Sequence, residues 1–146
     1  MTKLREIPTK DFRENRETLA AIQDGLSRYN QAKSPDPTAR DIALCVEEGN
    51  EVVGGLIGRI SRCWLRIDTL WVDERYRGLG LGKDLMMRAE ALARSEGCHS
   101  ARLDTYSFQS HGFYHQLGYE EFARLEGLKN GDTHYFLKKR LGPANA

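Results

Sequence analysis

The chain has 146 residues, with 22 lysines and arginines against 21 aspartates and glutamates, and therefore a formal net charge of +1. This length predicts one domain over residues 1–146, and 40% hydrophobic with 29% charged residues is typical of a globular fold. The composition excludes a mainly disordered chain, and the neutral balance argues against nucleic acid as a partner.

Localisation is predicted from apolar runs and cysteines. No apolar run approaches the roughly 20 residues of a membrane-spanning helix, and the first six residues contain no apolar signal core. Cys45, Cys63 and Cys98 are far apart and form no CxxC pair, so we expect reduced, buried thiols. These features favour a cytoplasmic protein without a membrane partner.

The first predicted element is a helix over about residues 12–30. Its apolar face recurs at steps of three and four residues: Leu19, Ile22, Leu26 and Tyr29. Asp11, with Glu14 three residues on, resembles a capping box at the start of this helix. Pro35 and Pro37 prevent the helix from continuing.

Three strands are predicted next, joined by short turns that imply antiparallel hairpins. They cover residues 42–47, 52–58 and 63–72. Gly54, Gly55 and Gly58 interrupt the second strand, and glycine in a strand marks a bulge or the close approach of another backbone.

Beyond Val72 the apolar residues recur at the spacing of a helix. The remaining predicted elements are a helix with an apolar stripe from Leu81 to Leu92, a strand over 101–106, a short helix containing Phe113 and Leu117, and strands over 119–125 and 134–137. We expect residues 142–146 to fray. This order predicts an α/β fold with a central mixed, mostly antiparallel sheet flanked by helices on both faces.

A glycine-rich turn joins the third strand to the second predicted helix. It reads Arg77, Gly78, Leu79, Gly80, Leu81, Gly82 and Lys83. Glycines permit positive φ and let several backbone N–H groups point into one concavity at the positive end of a helix, which suits a phosphate. Asp84 after Lys83 excludes a P-loop, and the spacing also fails the G-x-G-x-x-G fingerprint, leaving R-x-x-G-x-G.

This turn resembles the pyrophosphate-binding motif of the GNAT superfamily of acetyl-coenzyme A-dependent N-acetyltransferases. Residues 113–119, which read FYHQLGY, resemble the family's FY-x-x-LG[FY] segment, and the element order agrees from about residue 40 onward. The resemblance implies direct acetyl transfer from acetyl-CoA to a primary amine, within a ternary complex and without an acyl-enzyme intermediate. The acceptor would be a small molecule or a protein, and the assembly a homodimer.

The resemblance also implies the coenzyme contacts. The turn residues Arg77, Gly78, Leu79, Gly80, Leu81, Gly82 and Lys83 would surround the pyrophosphate. The pantetheine would follow the main chain of Leu70, Trp71 and Val72 along a bulged strand, with the Leu70 N–H on the acetyl carbonyl. Many relatives carry an asparagine where this chain has Ser107, so Ser107 or Gln109 is expected to cap the next helix and bind the pantetheine.

Tyr114 matches the family tyrosine that protonates the departing thiolate, and a phenol with a pKa of about 10 is a suitable acid. The general base stays open between Asp68 and Asp104. Asp68 lies on the same face of its strand as Leu70, whose N–H is expected to bind the acetyl carbonyl, if the alternation of side chains holds. Either aspartate could instead bind a cationic substrate or pair with an arginine such as Arg66 or Arg102.

The sequence also bears on the acceptor class, on an alternative function and on a possible metal site. Four acidic residues favour a cationic acceptor such as a polyamine or an aminoglycoside-type antibiotic: Glu47, Glu48, Asp68 and Asp104. The alternative function is a non-catalytic module on the same fold that binds coenzyme A or a protein partner. His111 and His115 have helical spacing, but two histidines without a third ligand predict no metal site.

Overall fold

A computed structural model of the protein describes residues 1–143, so that residues 144–146 of the tail expected to fray lie outside the described range. The helices are α1 (Arg16–Lys33), α2 (Leu81–Ser95) and α3 (His111–Gln116). The strands are β1 (Arg40–Glu48), β2 (Glu51–Ser61), β3 (Trp64–Val72), β4 (Ser100–Tyr106), β5 (Glu120–Leu125) and β6 (His134–Arg140). No helix in this range is long and apolar enough to span a membrane.

The strands form one sheet in the order β1-β2-β3-β4-β6-β5. Neighbouring strands are antiparallel except for β3 and β4, which are parallel and are connected through α2. The prediction of a mixed, mostly antiparallel sheet with helices is therefore confirmed.

Residues 1–37 form a compact unit of their own, separate from the unit that begins at Thr38. The predicted capping box is wrong, because α1 begins at Arg16 and Asp11 ends a 3₁₀ turn instead. Asp11 contributes its backbone carbonyl, which accepts hydrogen bonds from the N–H groups of Glu14 and Asn15, both at 3.1 Å. The predicted apolar face of α1 is exposed at Ile22, 65%, at Leu26, 63%, and at Tyr29, 61%.

The core of the second unit lies between the sheet and helices α2 and α3. Strand alternation supplies Leu56, Leu65, Ala101, Leu103 and Leu137, while α2 supplies Met86 and Ala89 and α3 supplies Tyr114. Glu90 of α2 is buried among them and accepts hydrogen bonds from the Tyr119 hydroxyl at 2.9 Å and from Lys139 Nζ at 2.6 Å. Burial, followed by the charge of Glu90, raises the pKa of Tyr119, so the phenol remains a donor to the carboxylate. This hydrogen-bonded triad joins α2 to the β5–β6 end of the sheet.

The glycines of β2 confirm the expected close approach of neighbouring backbones. A Cβ at Gly58 would stand 2.5 Å from the Arg66 carbonyl oxygen, and one at Gly55 would stand 2.8 Å from that of Leu44. Because both obstacles are backbone atoms of adjacent strands, the sheet could accept a side chain there only by moving a strand.

The β2–β3 turn differs from its prediction, because Cys63 lies in the turn and not in a strand. Arg62 and Cys63 have φ values of 56° and 64°, as in the primed turns that close two-residue hairpins. The expectation of buried thiols holds for Cys98 but is wrong for Cys45 and Cys63, which are exposed.

We predict that Gly58→Ala lowers the free energy of unfolding by about 1–3 kcal/mol, the range for overpacking a close-packed site. Gly25→Ala is the matched control, because nothing lies within 4 Å of a Cβ there. Alanine should stabilise that helical position by roughly 0.5–1 kcal/mol. Urea denaturation of both variants measures the difference, and equal effects would contradict the close approach.

Candidate active site

A β-bulge in β3 is the first feature of the site. Thr69 pairs with Ile57 and Ile67 pairs with Gly58, so Asp68 is an extra residue without a partner on β2. Asp68 and Thr69 are consequently both exposed, and alternation resumes one residue later. The expectation that Asp68 shares a strand face with Leu70 is therefore wrong, because the bulge breaks the period of two.

Beside the bulge, β3 and β4 separate. Their parallel pairing covers Trp64–Ile67 with Ser100–Leu103 and stops there. The gap between residues 68–72 and 104–106 is called the wedge below. It opens into a cavity of about 920 Å³ that reaches the glycine-rich turn and the start of α3.

The hydrogen-bond phase of β3 decides which backbone groups face the wedge. The Asp73 N–H donates to the Val53 carbonyl at 2.8 Å, and pairs alternate between bonded and non-bonded along an antiparallel ladder. Since Val72 and Leu70 occupy the non-bonded positions opposite Gly54 and Leu56, their N–H groups point away from β2 and towards the wedge. Their side chains pack against the core, as expected.

Trp71 has the opposite phase, so its main-chain groups point towards β2 and not along the wedge. Its side chain lines the cavity and is 45% exposed. The predicted main-chain contact between Trp71 and the pantetheine therefore does not fit this ladder, whereas a side-chain contact does.

The glycine-rich turn forms an anion cradle at the start of α2. Gly78 and Gly80 have φ values of +81° and +82°, where side chains are strained, and Gly80 is the N-cap. The first backbone bond of the helix runs from Asp84 N–H to the Gly80 carbonyl at 3.0 Å. The N–H groups of Leu81, Gly82 and Lys83 therefore have no acceptor within the helix, and they form the positive end of its dipole.

The basic side chains around this turn differ in how far other protein groups already engage them. Arg77 and Lys83 line the cavity, and Arg77 Nε donates to the Val72 carbonyl at 3.1 Å. Arg75 is instead occupied by Asp73 and Glu51, whose hydrogen bonds raise the pKa of its guanidinium. Main-chain N–H groups beside two cations suit a pyrophosphate, so these residues fit the coenzyme expected there.

Two predicted contact residues lie outside the cavity lining. Leu79 points into solvent with 68% of its surface exposed. Ser107 is held by the segment before β6, since its Oγ donates to Asp132 Oδ1 at 2.9 Å and accepts from the Thr133 N–H at 3.0 Å.

Gln109 does line the cavity, but its Oε1 accepts from the Thr105 hydroxyl at 3.1 Å and from the Tyr106 N–H at 3.0 Å. The expectation that Ser107 or Gln109 caps the next helix is wrong. The N-cap of α3 is Ser110, which makes no side-chain capping bond, and the two expected side chains are engaged elsewhere.

Tyr114 lies on α3, largely buried, and lines the cavity. Burial, and to a smaller degree the charge of Asp104, raises the pKa of the Tyr114 phenol. Both causes favour the neutral form, so the hydroxyl is a proton donor at neutral pH.

Both candidate bases line the cavity, with different partners. Asp68 pairs with Arg66, one of the arginines considered for it, through an Oδ1–Nε distance of 2.5 Å. This hydrogen bond raises the pKa of the Arg66 guanidinium, which stays charged beside Asp68. Asp104 instead contacts His134 of β6, with Oδ2 and Nε2 2.7 Å apart.

The sequence interpretation missed several residues at the site. His134 is a single histidine at the start of a strand and belongs to no pattern. Phe108, which is 67% exposed, and Thr69 line the cavity, whereas His134 lies outside its lining. Phe113 was visible in the FYHQLGY segment, and its ring lies 3.3 Å from a Cβ position at Gly82, which explains the glycine there.

No group of three or more metal-ligating side chains occurs within residues 1–143. The His111 and His115 rings contact each other, with their Nε2 atoms 3.2 Å apart.

Comparison with known proteins identifies the family. The model of the acetyltransferase (GNAT) family matches residues 1–119. Over 98 residues the chain is 45% identical to blasticidin-S acetyltransferase of Streptomyces morookaense, covering 66% of this chain and 71% of that protein. It is 34% identical over 126 residues to an acetyltransferase of Agrobacterium fabrum, covering 86% and 92% of the two chains.

Solved structures agree with this assignment. A crystal structure from Agrobacterium tumefaciens, described as that of a candidate acetyltransferase, superposes with a TM-score of 0.82 at 31% identity, covering 96% of this chain and 99% of the other. The chain therefore belongs to the GNAT acetyltransferase family, and it is an acetyltransferase. The family uses acetyl-CoA as its acetyl donor.

We predict that Tyr114 titrates above the value of about 10 typical of a free tyrosine. Asp104→Asn should lower this pKa, because it removes the neighbouring negative charge, but burial, the larger cause, keeps it above the ordinary value. NMR titration of ¹³Cζ-labelled tyrosine measures both, with Tyr114→Phe assigning the resonance. A pKa that Asp104→Asn leaves unchanged would show that the carboxylate does not act on the phenol.

Proposed function

We propose that the protein transfers the acetyl group of acetyl-CoA to a primary amine by direct attack in a ternary complex. The observation that carries the proposal is the wedge, in which backbone donors of β3, an anion cradle and a buried phenol line one cavity. The coenzyme would enter with its pyrophosphate at residues 77–83 and its acetyl group near the bulge.

The backbone of the turn and of β3 would hold the donor substrate. The N–H groups of Leu81, Gly82 and Lys83 would bind pyrophosphate oxygens, with the charges of Arg77 and Lys83 beside them. The pantetheine would replace the missing β4 neighbour along Leu70 and Val72, because an extended amide-bearing chain can bond to their N–H groups, which point into the wedge.

Two groups of the protein would take part in the acetyl transfer itself. The Leu70 N–H would donate to the acetyl carbonyl oxygen and stabilise the negative charge that develops there as the amine attacks. Tyr114 would donate its proton to the departing thiolate, because burial keeps the phenol protonated at neutral pH. No cysteine lines the described cavity, which supports direct transfer over a thioester on the protein.

The acceptor must lose a proton before it attacks. An alkyl amine with a pKa of about 10.4 is only about one part in 10³ neutral at pH 7, so a carboxylate nearby is useful. Asp68 and Asp104 both line the cavity and would also attract a cationic acceptor. Because a relative is named a blasticidin-S acetyltransferase, cationic antibiotics belong among the acceptors to test.

We predict that acetyl-CoA raises the melting temperature of the protein and that thiol release accelerates with at least one amine. The panel should contain blasticidin S, a streptothricin, an aminoglycoside, a polyamine and a lysine-containing peptide. Binding without turnover for every amine would favour the coenzyme-binding module, and absence of stabilisation would contradict the whole proposal.

We also predict that Tyr114→Phe lowers kcat on the order of 100-fold, the lower range for removing a general acid, while acetyl-CoA still stabilises the variant. Tyr135→Phe is the matched control, since Tyr135 lies beside His111 and outside the cavity lining. Equal kcat values for the two variants would exclude Tyr114 as the acid.

A further inference from the structure

The contact between Asp104 and His134 distinguishes one carboxylate of the wedge from the other. We propose that Asp104 is the group that removes the proton from the acceptor amine and that His134 is the positioning residue that aims its carboxylate into the wedge. This assignment rests on the proposed function and selects between the two candidate bases.

The position of Asp104 supports this role. It is the first residue of β4 beyond the last pair with β3, Ile67 with Leu103, so it stands where the wedge begins. Its side chain is about half exposed and lines the cavity. Within residues 1–143 only Oδ2 has a hydrogen-bond partner, namely His134 Nε2. The other oxygen, Oδ1, is therefore available to the amine of the acceptor substrate.

His134 is held rigidly enough to orient a partner. Its ring stacks on Tyr106 at a centroid distance of 4.3 Å and contacts Phe136 at 4.5 Å. Only 15% of its side chain is exposed, so it reaches the acceptor through Asp104 and not directly. The contact is diagonal across the β4–β6 ladder, in which His134 pairs with Tyr106 and Asp104 pairs with Phe136.

The other charged groups around His134 have their own partners. On β5, Leu125 stands opposite His134, and the adjacent Arg124 pairs with Glu121 and Glu126. Asp132, two residues earlier, accepts the Ser107 hydroxyl. Of the ionisable groups on the facing strand β4, Asp104 bonds to the imidazole and Tyr106 stacks on it.

Asp68 is the weaker base for an electrostatic reason. Its partner Arg66 is a guanidinium that keeps its charge at every accessible pH, so Asp68 lies in a permanent ion pair. A neutral imidazole leaves the charge of Asp104 uncompensated and available to an ammonium group. Protonation of His134 at low pH would turn its contact into an ion pair and weaken Asp104 as a proton acceptor.

The step balances in protons and bonds. The ammonium N–H bond breaks as its proton passes to Asp104 Oδ1, and the freed lone pair forms the bond to the acetyl carbon while the C–S bond breaks. Tyr114 gives its proton to the thiolate sulfur and regains one from the nitrogen that becomes the amide. Asp104 later loses its proton to water, so one proton is released per acetyl group transferred.

The test compares kcat against pH in the wild type, Asp104→Asn, His134→Gln and His134→Phe. Asp104→Asn should lose on the order of 100-fold in kcat near neutral pH, where the amine is protonated, because the proton acceptor is gone. His134→Phe keeps the ring stack but loses a hydrogen bond to a charged group, and should lose on the order of tenfold in kcat.

His134→Gln separates positioning from structure. Glutamine can still donate to Asp104 but cannot be protonated, so kcat near neutral pH should recover above that of His134→Phe. The fall of kcat at low pH should also move to lower pH. His99→Gln is the matched control, because His99 bonds to Ser100 outside the cavity and should leave both kcat and its pH profile unchanged.

The possible results separate a failure of the proposed function from a failure of the roles assigned to Asp104 and His134. If the wild type acetylates no amine, the proposed function and this assignment both fall. If the wild type is active but His134→Gln keeps the wild-type pH profile, or Asp68→Asn loses more kcat than Asp104→Asn, only this assignment falls. Melting temperatures of all variants identify any loss that is due to unfolding.

Discussion

The single extra residue at Asp68 determines the geometry of the active site. Without the bulge, the side chain of Thr69 would continue the core face, and Leu70 and Val72 would point to solvent. With it, the strand keeps its apolar side chains in the core and turns the N–H groups of Leu70 and Val72 towards β4. A β-bulge also increases local twist, which is consistent with β3 leaving β4 one residue after their last pair.

A sheet with two unpaired strand edges in its middle needs support from outside the wedge. Strand β3 keeps its pairing with β2 to the end, and the glycines of β2 let backbones approach closely there. Strand β4 is held by β6, and the Glu90–Tyr119–Lys139 triad joins that side to α2. The helix that supplies the anion cradle is thus tied to the distal strands, and Gly82 lets its first turn approach Phe113 of α3. The neighbouring strands and helices therefore hold β3 and β4 in place on either side of the wedge, although these strands do not pair there.

The sequence predicted those parts of the fold and site that depend on local chemistry. Alternate glycines between a strand and a helix indicate an anion cradle, because φ and side-chain size are properties of single residues. The bulge was implied by the family resemblance alone, since Asp68 and Thr69 look like ordinary members of an alternating strand. The partners of Ser107 and Asp104 were not predictable, because they lie 25 and 30 positions away along the chain. For the same reason the apolar stripe of α1 located a helix but not the exposure of that stripe.

Two aspartates of the same intrinsic acidity stand at the wedge, and their partners make them different groups. Arg66 is a permanent cation, so the Asp68 pair changes little between any two steps of a reaction. His134 carries an imidazole, which is neutral unless it binds a second proton, so the charge of the Asp104 pair is not fixed as that of the Asp68 pair is. Asp104 also acts on Tyr114, whose pKa it helps to raise. A negative Asp104 therefore favours a protonated Tyr114, and the two states needed at the start of transfer, an ionised base and a neutral acid, stabilise each other.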